Sequence, residues 1–225
     1  NRAILSSPVI SPAKWRTLMN LERPGFAHQR IELNAPADMP LLEAVRAIAQ
    51  QAEAAVREGK TLLVLSDRFI SEGKLPVHAA LAVGAVHHHL IAVGLRCDCN
   101  ILVETATARD PHHYAVLIGF GATAVYPYLA YEILGDLIRT GEVIGDLYEV
   151  FKSYRKGISK GLLKILSKMG ISTVVSYRGA QLFEAVGLAD EVVDMCFRGV
   201  ASRIQGARFS DLQAEQSLLA KEAWN

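Results

Sequence analysis

The segment AVGAVHHHLIAVGL, residues 82–95, contains three consecutive histidines, a residue type that ligates metals and transfers protons. Successive residues of a helix are about 100° apart, so His87, His88 and His89 point in widely different directions. A helical metal site instead spaces two ligands four residues apart, and this segment has no such pair. We expect zinc not to bind here, and at least one of these histidines to be hydrogen-bonded in the packing between helix and sheet.

A second histidine pair, His112 and His113, follows Asp110-Pro111, which is typical of the start of a helix. A protonated histidine is disfavoured at a helix N-terminus by the helix dipole, so these two side chains are expected to be neutral. The sequence leaves open whether any of the five histidines has more than a structural role.

Three cysteines, Cys97, Cys99 and Cys196, could in principle hold zinc or form a redox pair. Zinc and redox sites usually space two cysteines as Cys-x-x-Cys and add further ligands, whereas Cys97 and Cys99 are two residues apart. All three are therefore interpreted as ordinary reduced thiols, and their small odd number favours a reducing, cytoplasmic location.

Five polar residues follow predicted strands and could form one mouth: Asp67, Arg68, Glu104, Ser176 and Arg178. Active sites of barrel folds lie at the carboxyl ends of the strands, so this mouth could perform catalysis or hold a small ligand. It could equally be a structural network of ion pairs. Residues Ser176 to Gly179 could also form an anion site, although the chain has no glycine-rich phosphate motif. No nucleophile–base pair is visible, so no catalytic, cofactor-binding or metal-binding residue is assigned.

Strands and helices that alternate along the chain must position these residues. The predicted strands are residues 28–33, 61–67, 100–104, 123–126, 171–175 and 191–197. The predicted helices are residues 12–20, 40–58, 76–94, 111–120, 129–139, 179–186 and 210–223, with one or two helices, bent near Gly157, over 144–169. This order predicts an α/β fold with a mostly parallel sheet.

A sequence pattern that occurs twice in the chain favours a (β/α) barrel or part of one. Residues 117–128 (LIGFGATAVYPY) and 166–177 (LSKMGISTVVSY) share the pattern Leu-x3-Gly-x3-Val-x2-Tyr. In this pattern the glycine ends a helix and the β-branched residues form the next strand. We therefore expect an incomplete barrel within one domain covering residues 1–225.

Composition narrows the function classes. The 225 residues are 51% hydrophobic and carry a formal net charge of +1, so no nucleic-acid partner is indicated. The lysines of residues 154–170 are read as a solvated helix face. No uninterrupted apolar run is long enough for a membrane span, and no signal peptide is visible at the start.

Several long stretches resemble the central domain of the glutamate synthase large subunit. They are residues 6–11 (SSPVIS), 62–68 (LLVLSDR), 75–96, 103–132 and 161–188, and the resemblance extends over nearly the whole chain. The resemblance implies a parent enzyme in which an amidotransferase domain hydrolyses glutamine and ammonia passes through a tunnel. An FMN-binding barrel then adds the ammonia to 2-oxoglutarate and reduces the imine to glutamate, with electrons delivered through an iron–sulphur cluster. The central domain implied by the resemblance is an incomplete version of that FMN barrel.

This chain departs from the parent enzyme where catalysis would occur. It begins with Asn1 instead of the family's nucleophilic cysteine, and its three cysteines do not match the cluster spacing. The FMN segments are expected downstream of Asn225, and the rest of the domain, with most of the tunnel lining, upstream of Asn1. The expected role is a structural module between the amidotransferase and FMN domains, not catalytic alone and without its own cofactor.

Two other roles stay open, and so does the electron donor. An independent barrel enzyme, or a phosphate- or flavin-binding module, would use Asp67, Glu104, Ser176 and Arg178. The expected partners are the neighbouring domains and, for the parent enzyme, ferredoxin or a small electron-donor subunit.

Overall fold

The computed structural model describes residues 3–224 of the chain. Its helices are α1 (Pro12–Met19), α2 (Leu41–Arg57), α3 (Ala79–Ala92), α4 (Pro111–Gly119), α5 (Tyr128–Arg139), α6 (Leu147–Lys168), α7 (Val174–Tyr177), α8 (Asp190–Cys196) and α9 (Phe209–Trp224). Its strands are β1 (His28–Glu32), β2 (Asn34–Pro36), β3 (Leu62–Ser66), β4 (Lys74–Pro76), β5 (Asn100–Glu104), β6 (Ala124–Tyr126), β7 (Glu184–Leu188) and β8 (Ala201–Ala207). A short 3-10 turn covers Arg96–Asp98.

A parallel four-stranded sheet in the order β1-β3-β5-β6 forms the centre of the molecule. Its strands end level with one another, because Glu32, Ser66, Glu104 and Tyr126 are successive partners across the sheet. Val9 extends the sheet beside β6 through a parallel bridge to Val125. The predicted α/β fold with a mostly parallel sheet is confirmed, and the strands of residues 3–224 do not close into a barrel.

Both faces of the sheet are buried. On one face, side chains such as Leu63 and Val103 pack in the main core beneath α2, α3 and α4. On the other face, Val64 and Leu102 lie in a smaller core with Trp15 of α1. All five residues of β3 are buried, which explains why its sequence is an unbroken apolar run instead of an alternating one.

Most predicted elements of the first two thirds are confirmed with shifts of a few residues. The helix predicted from Pro76 begins at Ala79, because Pro76 belongs to the short antiparallel pair β2–β4. Residues 144–169 form the single helix α6, which begins after the N-cap Asp146 and continues through Gly157.

Three predictions in the last third are wrong. Residues 171–175, predicted as a strand, contain the start of α7, and residues 191–197, also predicted as a strand, lie in α8 except for the last residue. Residues 179–186, predicted as a helix, form a loop that leads into β7. The strands β2, β4 and β8 were not predicted.

Local chemistry explains these differences. Val192, Val193 and Cys196 are the buried residues of α8 and fit a helical stripe, which outweighs their β-branched character. The Thr173 side chain accepts from the Ser176 N–H and caps α7. Gly179 and Gln181 both have positive φ, which a helix does not tolerate. Consequently only residues 117–128 of the two similar segments form helix, strand and helix.

The structure predicts opposite effects for two helical glycines. A methyl group on Gly84 of α3 would overlap the carbonyl oxygen of Cys196 in α8, so Gly84→Ala should destabilise the fold by at least about 2 kcal/mol. Gly157 of α6 has nothing within 4 Å, so Gly157→Ala should stabilise it by about 0.5–1 kcal/mol. Urea unfolding of both variants measures the difference. Equal effects would contradict the close crossing of α3 and α8.

Candidate functional site

The carboxyl edge of the sheet gathers acidic and basic side chains. Ser66, Asp67 and Arg68 end or follow β3, and Glu104 and Thr105 end or follow β5. Ser66 and Glu104 are register partners, so their side chains lie on the same face of the sheet. Parallel pairing therefore brings together residues that are 38 positions apart in the sequence.

Glu104 is a buried carboxylate held by two arginines, with 1% of its surface exposed. The Ser66 hydroxyl donates to its Oε2 at 2.7 Å, and Arg30 Nη2 lies 3.2 Å from the same oxygen. Arg68 Nη1 lies 3.4 Å from Oε1, while Arg68 Nη2 pairs at 2.7 Å with Glu132 of α5. These bonds tie β1, β3, β5 and α5 together at one point.

Asp67 is a second buried carboxyl group beside this network. The Thr105 hydroxyl donates to its Oδ2 at 2.5 Å, and the backbone N–H of Ala106 donates to Oδ1 at 3.0 Å. Burial raises the pKa of Asp67 above its usual range, against the lowering effect of these hydrogen bonds and of the Tyr128 hydroxyl. The Asp67 side chain thus fixes the loop after β5 to the end of β3.

Aromatic rings cover the two arginines. The Arg68 guanidinium lies 5.0 Å from the ring centroid of Tyr128, and that of Arg30 lies 5.2 Å from the centroid of Phe69. Phe69 is 56% exposed and its neighbour Ile70 is 46% exposed. The carboxyl edge therefore has a fully bonded charged interior beneath an apolar surface.

The structure divides the five residues predicted for the polar mouth. Asp67, Arg68 and Glu104 come together, but Ser176 and Arg178 do not join them. Ser176 is in α7 and its hydroxyl lies 2.7 Å from that of Thr173. Arg178 interacts electrostatically with His87 and Arg96, near the opposite end of the strands. Arg30 was not among the predicted residues, although its place two residues before the end of β1 puts it on the face of Ser66 and Glu104.

The contacts at the strand ends join neighbouring strands to one another. We call this group of residues the clamp: Arg30, Ser66, Asp67, Arg68, Glu104 and Thr105. Both carboxylates accept hydrogen bonds from fixed donors, and Glu104 is neutralised by two guanidinium groups. No serine–histidine or cysteine–histidine pair adjoins them among the hydrogen-bonded contacts of residues 3–224. The contacts support stabilisation of the sheet.

The three consecutive histidines have three different environments. His87 is buried, and its Nδ1 accepts a 2.8 Å hydrogen bond from Arg96 Nε, so the expected hydrogen-bonded histidine is present. His88 is half-buried with its ring against that of His87, and His89 Nε2 lies 2.6 Å from the Glu53 carboxylate. In the part of the chain that the structure describes, no three histidine, cysteine or acidic side chains gather as a metal-binding group.

The remaining candidates have local roles. Asp110 is the N-cap of α4 and accepts from the His113 N–H at 3.0 Å, as predicted. All three cysteines are free; Cys97 is exposed, while Cys99 and Cys196 are buried. Burial raises the pKa of the Cys196 thiol to about 12, so this side chain is an unreactive part of the core. No helix within residues 3–224 has the length and hydropathy needed to cross a membrane.

Removing the charge of Glu104 should destabilise the fold. Glu104→Gln leaves Arg30 and Arg68 without their shared counter-charge, so the free energy of unfolding should fall by about 2–3 kcal/mol. The matched control is Glu132→Gln, because Glu132 is exposed and should contribute less than about 1 kcal/mol. Urea unfolding of both variants tests this, and equal losses would contradict the clamp.

Acid should weaken the fold through His87. Burial and the nearby charge of Arg96 lower the His87 pKa to about 4, so the unfolded chain binds this proton more tightly than the folded chain. Stability is therefore lost as the pH falls from about 6.5 to about 4, by about 3 kcal/mol. In the His87→Asn variant, the free energy of unfolding should not show this loss between about pH 6.5 and about pH 4. An NMR titration in which His87 protonates near pH 6.5 would contradict the prediction.

The chain matches a family model and several long proteins. Residues 1–189 match the model described as "Glutamate synthase central domain". The chain is 40% identical over 99% of its length to the NADPH glutamate synthase large chain of Bacillus subtilis (strain 168). It is 36% identical over 94% of its length to the NADH glutamate synthase of Saccharomyces cerevisiae, and 40% identical over 96% to the ferredoxin-dependent chloroplastic enzyme of Oryza sativa subsp. japonica.

These relatives are much longer than the chain, which spans 14%, 10% and 14% of their respective lengths. Residues 190–225 lie beyond the family model, but nearly all of them fall within the region aligned to the Bacillus relative, since that alignment covers 99% of the chain.

Solved structures give more distant similarities. A mandelate oxidase structure has a TM-score of 0.48 and 15% identity, covering 75% of this chain and 43% of its own. A flavocytochrome b2 structure has a TM-score of 0.45 and 12% identity, covering 71% of this chain and 40% of its own. The family match extends over most of the chain, and on that basis the chain belongs to the glutamate synthase central domain family.

Proposed function

We propose that this chain is the structural module of a glutamate synthase that connects the glutamine amidotransferase domain to the FMN-binding synthase domain. In this role it holds the two active sites at a fixed separation, so that ammonia released from glutamine reaches 2-oxoglutarate without loss to water. Residues 1–225 act as one domain in this proposal. The proposed location is the cytoplasm, in keeping with three free thiols.

The observation that carries the proposal is that this chain is about equally similar to glutamate synthases named for different electron donors. The relatives are named for NADPH, NADH and ferredoxin, yet their identities to this chain differ only between 36% and 40%. A segment that bound the donor would be expected to differ between these enzymes. A segment that maintains the spacing of two active sites would not.

The carboxyl edge supports the same interpretation. Its buried carboxylates, together with the serine and arginines bonded to Glu104, connect β1, β3, β5 and α5, which restricts movement at this edge. Above it, Phe69 and Ile70 expose apolar surface that a neighbouring domain can cover. Rigid charge networks with an apolar surface above them suit a part that keeps other domains in place.

The cofactors of the parent enzyme do not fit the residues of this chain. An iron–sulphur cluster needs several thiolates together, whereas two of the three thiols here are buried with raised pKa values and no three-ligand group occurs within residues 3–224. At the carboxyl ends of β3 and β5 lie the buried acids Asp67 and Glu104, whose negative charge would repel an anionic flavin phosphate placed beside them. We propose that other segments of the parent enzyme hold FMN and the cluster.

The alternative of an independent enzyme or phosphate-binding module requires Asp67, Glu104, Ser176 and Arg178 to converge. The contacts of Ser176 with Thr173, and of Arg178 with His87 and Arg96, do not favour it. The structural module is accordingly the one function that we propose.

The purified 225-residue chain tests this proposal. It should hydrolyse no glutamine, form no glutamate from ammonia and 2-oxoglutarate, and retain no flavin absorbance after incubation with FMN and dialysis into FMN-free buffer, because its acidic residues serve as structural partners. The circular dichroism spectrum serves as the control that the chain is folded, and it should show the helices and strands described above. Stoichiometric FMN or turnover by the folded chain would contradict the proposal.

A further inference from the structure

A basic cluster lies near the amino end of the central sheet, opposite the carboxylates. It consists of Arg96, Arg178 and Arg198 with the histidines His87 and His88, which are linked by mutual electrostatic interactions. Arg96 is in the 3-10 turn before β5, and the two histidines are in α3. The carboxyl end of the sheet combines acidic groups with arginines, whereas this cluster contains no acidic residue.

Arg96 is a largely buried cation whose bonds all go to uncharged groups. Its Nε donates to His87 Nδ1 at 2.8 Å, its Nη1 to the Cys99 carbonyl at 2.9 Å and its Nη2 to the Gly121 carbonyl at 2.8 Å. Burial lowers the pKa of Arg96, because removal from water disfavours the charged guanidinium. A buried guanidinium is usually neutralised by a carboxylate, but Arg96 has none here.

Arg178 lacks even a complete set of hydrogen bonds. Its Nε is buried and has no hydrogen-bond partner among the described residues. Burial and the nearby charge of Arg96 both lower the pKa of Arg178. Unsatisfied buried donors are rare in folded proteins, so this nitrogen is a group for which an acceptor is missing.

Within residues 3–224, no carboxylate forms an ion pair with any of the three arginines, although ion pairs are frequent elsewhere in this region. Asp194 borders one of the cavities beside the cluster, but it forms no ion pair in the described structure. The positive charge of the cluster is therefore not compensated from within the fold.

A cavity opens between Arg198 and the two histidines; Arg96 adjoins it through its hydrogen bond to His87, and Arg178 through its chain neighbours Tyr177 and Gly179, but neither arginine lines it. It has a volume of about 200 Å³ and is lined by His87, His88, Gln181, Phe183 and Arg198 among others. A neighbouring cavity of about 230 Å³ shares His88 and Arg198 and adds Arg46. Because His87 Nδ1 accepts from Arg96, the neutral ring carries its proton on Nε2 and can act as a further donor.

We propose that this cavity is an oxyanion-binding site, which takes a carboxylate or phosphate group between Arg198 and the His87–His88 pair. Guanidinium groups and a neutral histidine N–H are donors that match oxyanion oxygens, and the volume suits a small group. A metal ion is disfavoured, because the surrounding charges are positive. The site lies at the amino end of the strands and is independent of the proposed structural role.

Anion titration of the 225-residue chain tests the site directly. Inorganic phosphate and succinate, each at constant ionic strength, should shift the ring resonances of His87 and His88 in a saturable manner. Burial and, to a smaller extent, nearby positive charges lower the pKa of both histidines, so a bound anion that offsets those charges should raise it. A dissociation constant weaker than about 10 mM for both anions would overturn the proposal.

A matched pair of arginine variants separates this site from general charge effects. Arg198 and Arg109 are both exposed and form no ion pair, but Arg109 is in the loop between β5 and α4, at the other end of the strands. Arg198→Gln should weaken binding about tenfold, the loss expected for one charge-assisted hydrogen bond, while Arg109→Gln should leave it unchanged. Equal weakening by the two variants would overturn the site.

The preference between the two anions identifies the source of the group. Tighter binding of phosphate supports a small phosphorylated ligand. Tighter binding of succinate supports an organic acid or an acidic side chain from another domain. Both results support the same oxyanion chemistry.

Discussion

Burial of the Glu104 carboxylate at the end of a parallel sheet is the constraint on which much of this structure depends. The strands end level with one another, so the last side chains of β3 and β5 meet where the sheet is covered on both faces. A carboxylate in that place is tolerated only with positive partners, and Arg30 and Arg68 provide them. These partners in turn require β1 beside β3 and α5 beside the strand ends, since Arg68 also bonds to Glu132.

The two ends of the central sheet differ in how their charges are compensated. Acidic groups are buried and bonded at the carboxyl end of the strands, while arginines without acidic partners gather near the amino end. A clamp of this kind restricts relative movement of the strands, and the exposed Phe69 and Ile70 above it provide a surface for contact. The carboxyl end of the sheet thus suits the proposed structural role. The arginines without acidic partners at the amino end suit the proposed binding of an oxyanion.

The sequence predicted the central sheet better than the last third because different forces decide the two regions. Strand β3 is a continuous apolar run, and Asp110-Pro111 is a strong helix start, so local signals and tertiary packing agree there. In α8, β-branched residues point locally to a strand, yet their spacing places Val192, Val193 and Cys196 on one buried face of a helix. The exposed strand β8 has no alternating pattern, because its side chains bury little on either face.

The site was predictable only in part. Asp67, Arg68 and Glu104 could be placed together, since residues after parallel strands share one edge. Arg178 could not, because its predicted strand is absent and the segment before it forms α7. Arg96 carried no sequence signal, since its partners are the carbonyl oxygens of Cys99 and Gly121 and a histidine nitrogen, which only the folded chain brings together.

Our central claim is that this module keeps two active sites coupled, and the ratio of their turnovers tests it most directly. In a full-length glutamate synthase that contains this chain, one measures the 2-oxoglutarate consumed for each glutamine hydrolysed. With Glu104→Gln the account predicts a lower ratio than in the unmodified enzyme, with free ammonia released and glutamine hydrolysis continuing, whereas Glu132→Gln should leave the ratio unchanged. A ratio that stays the same in Glu104→Gln, although the variant lowers the stability of this domain, would contradict the account.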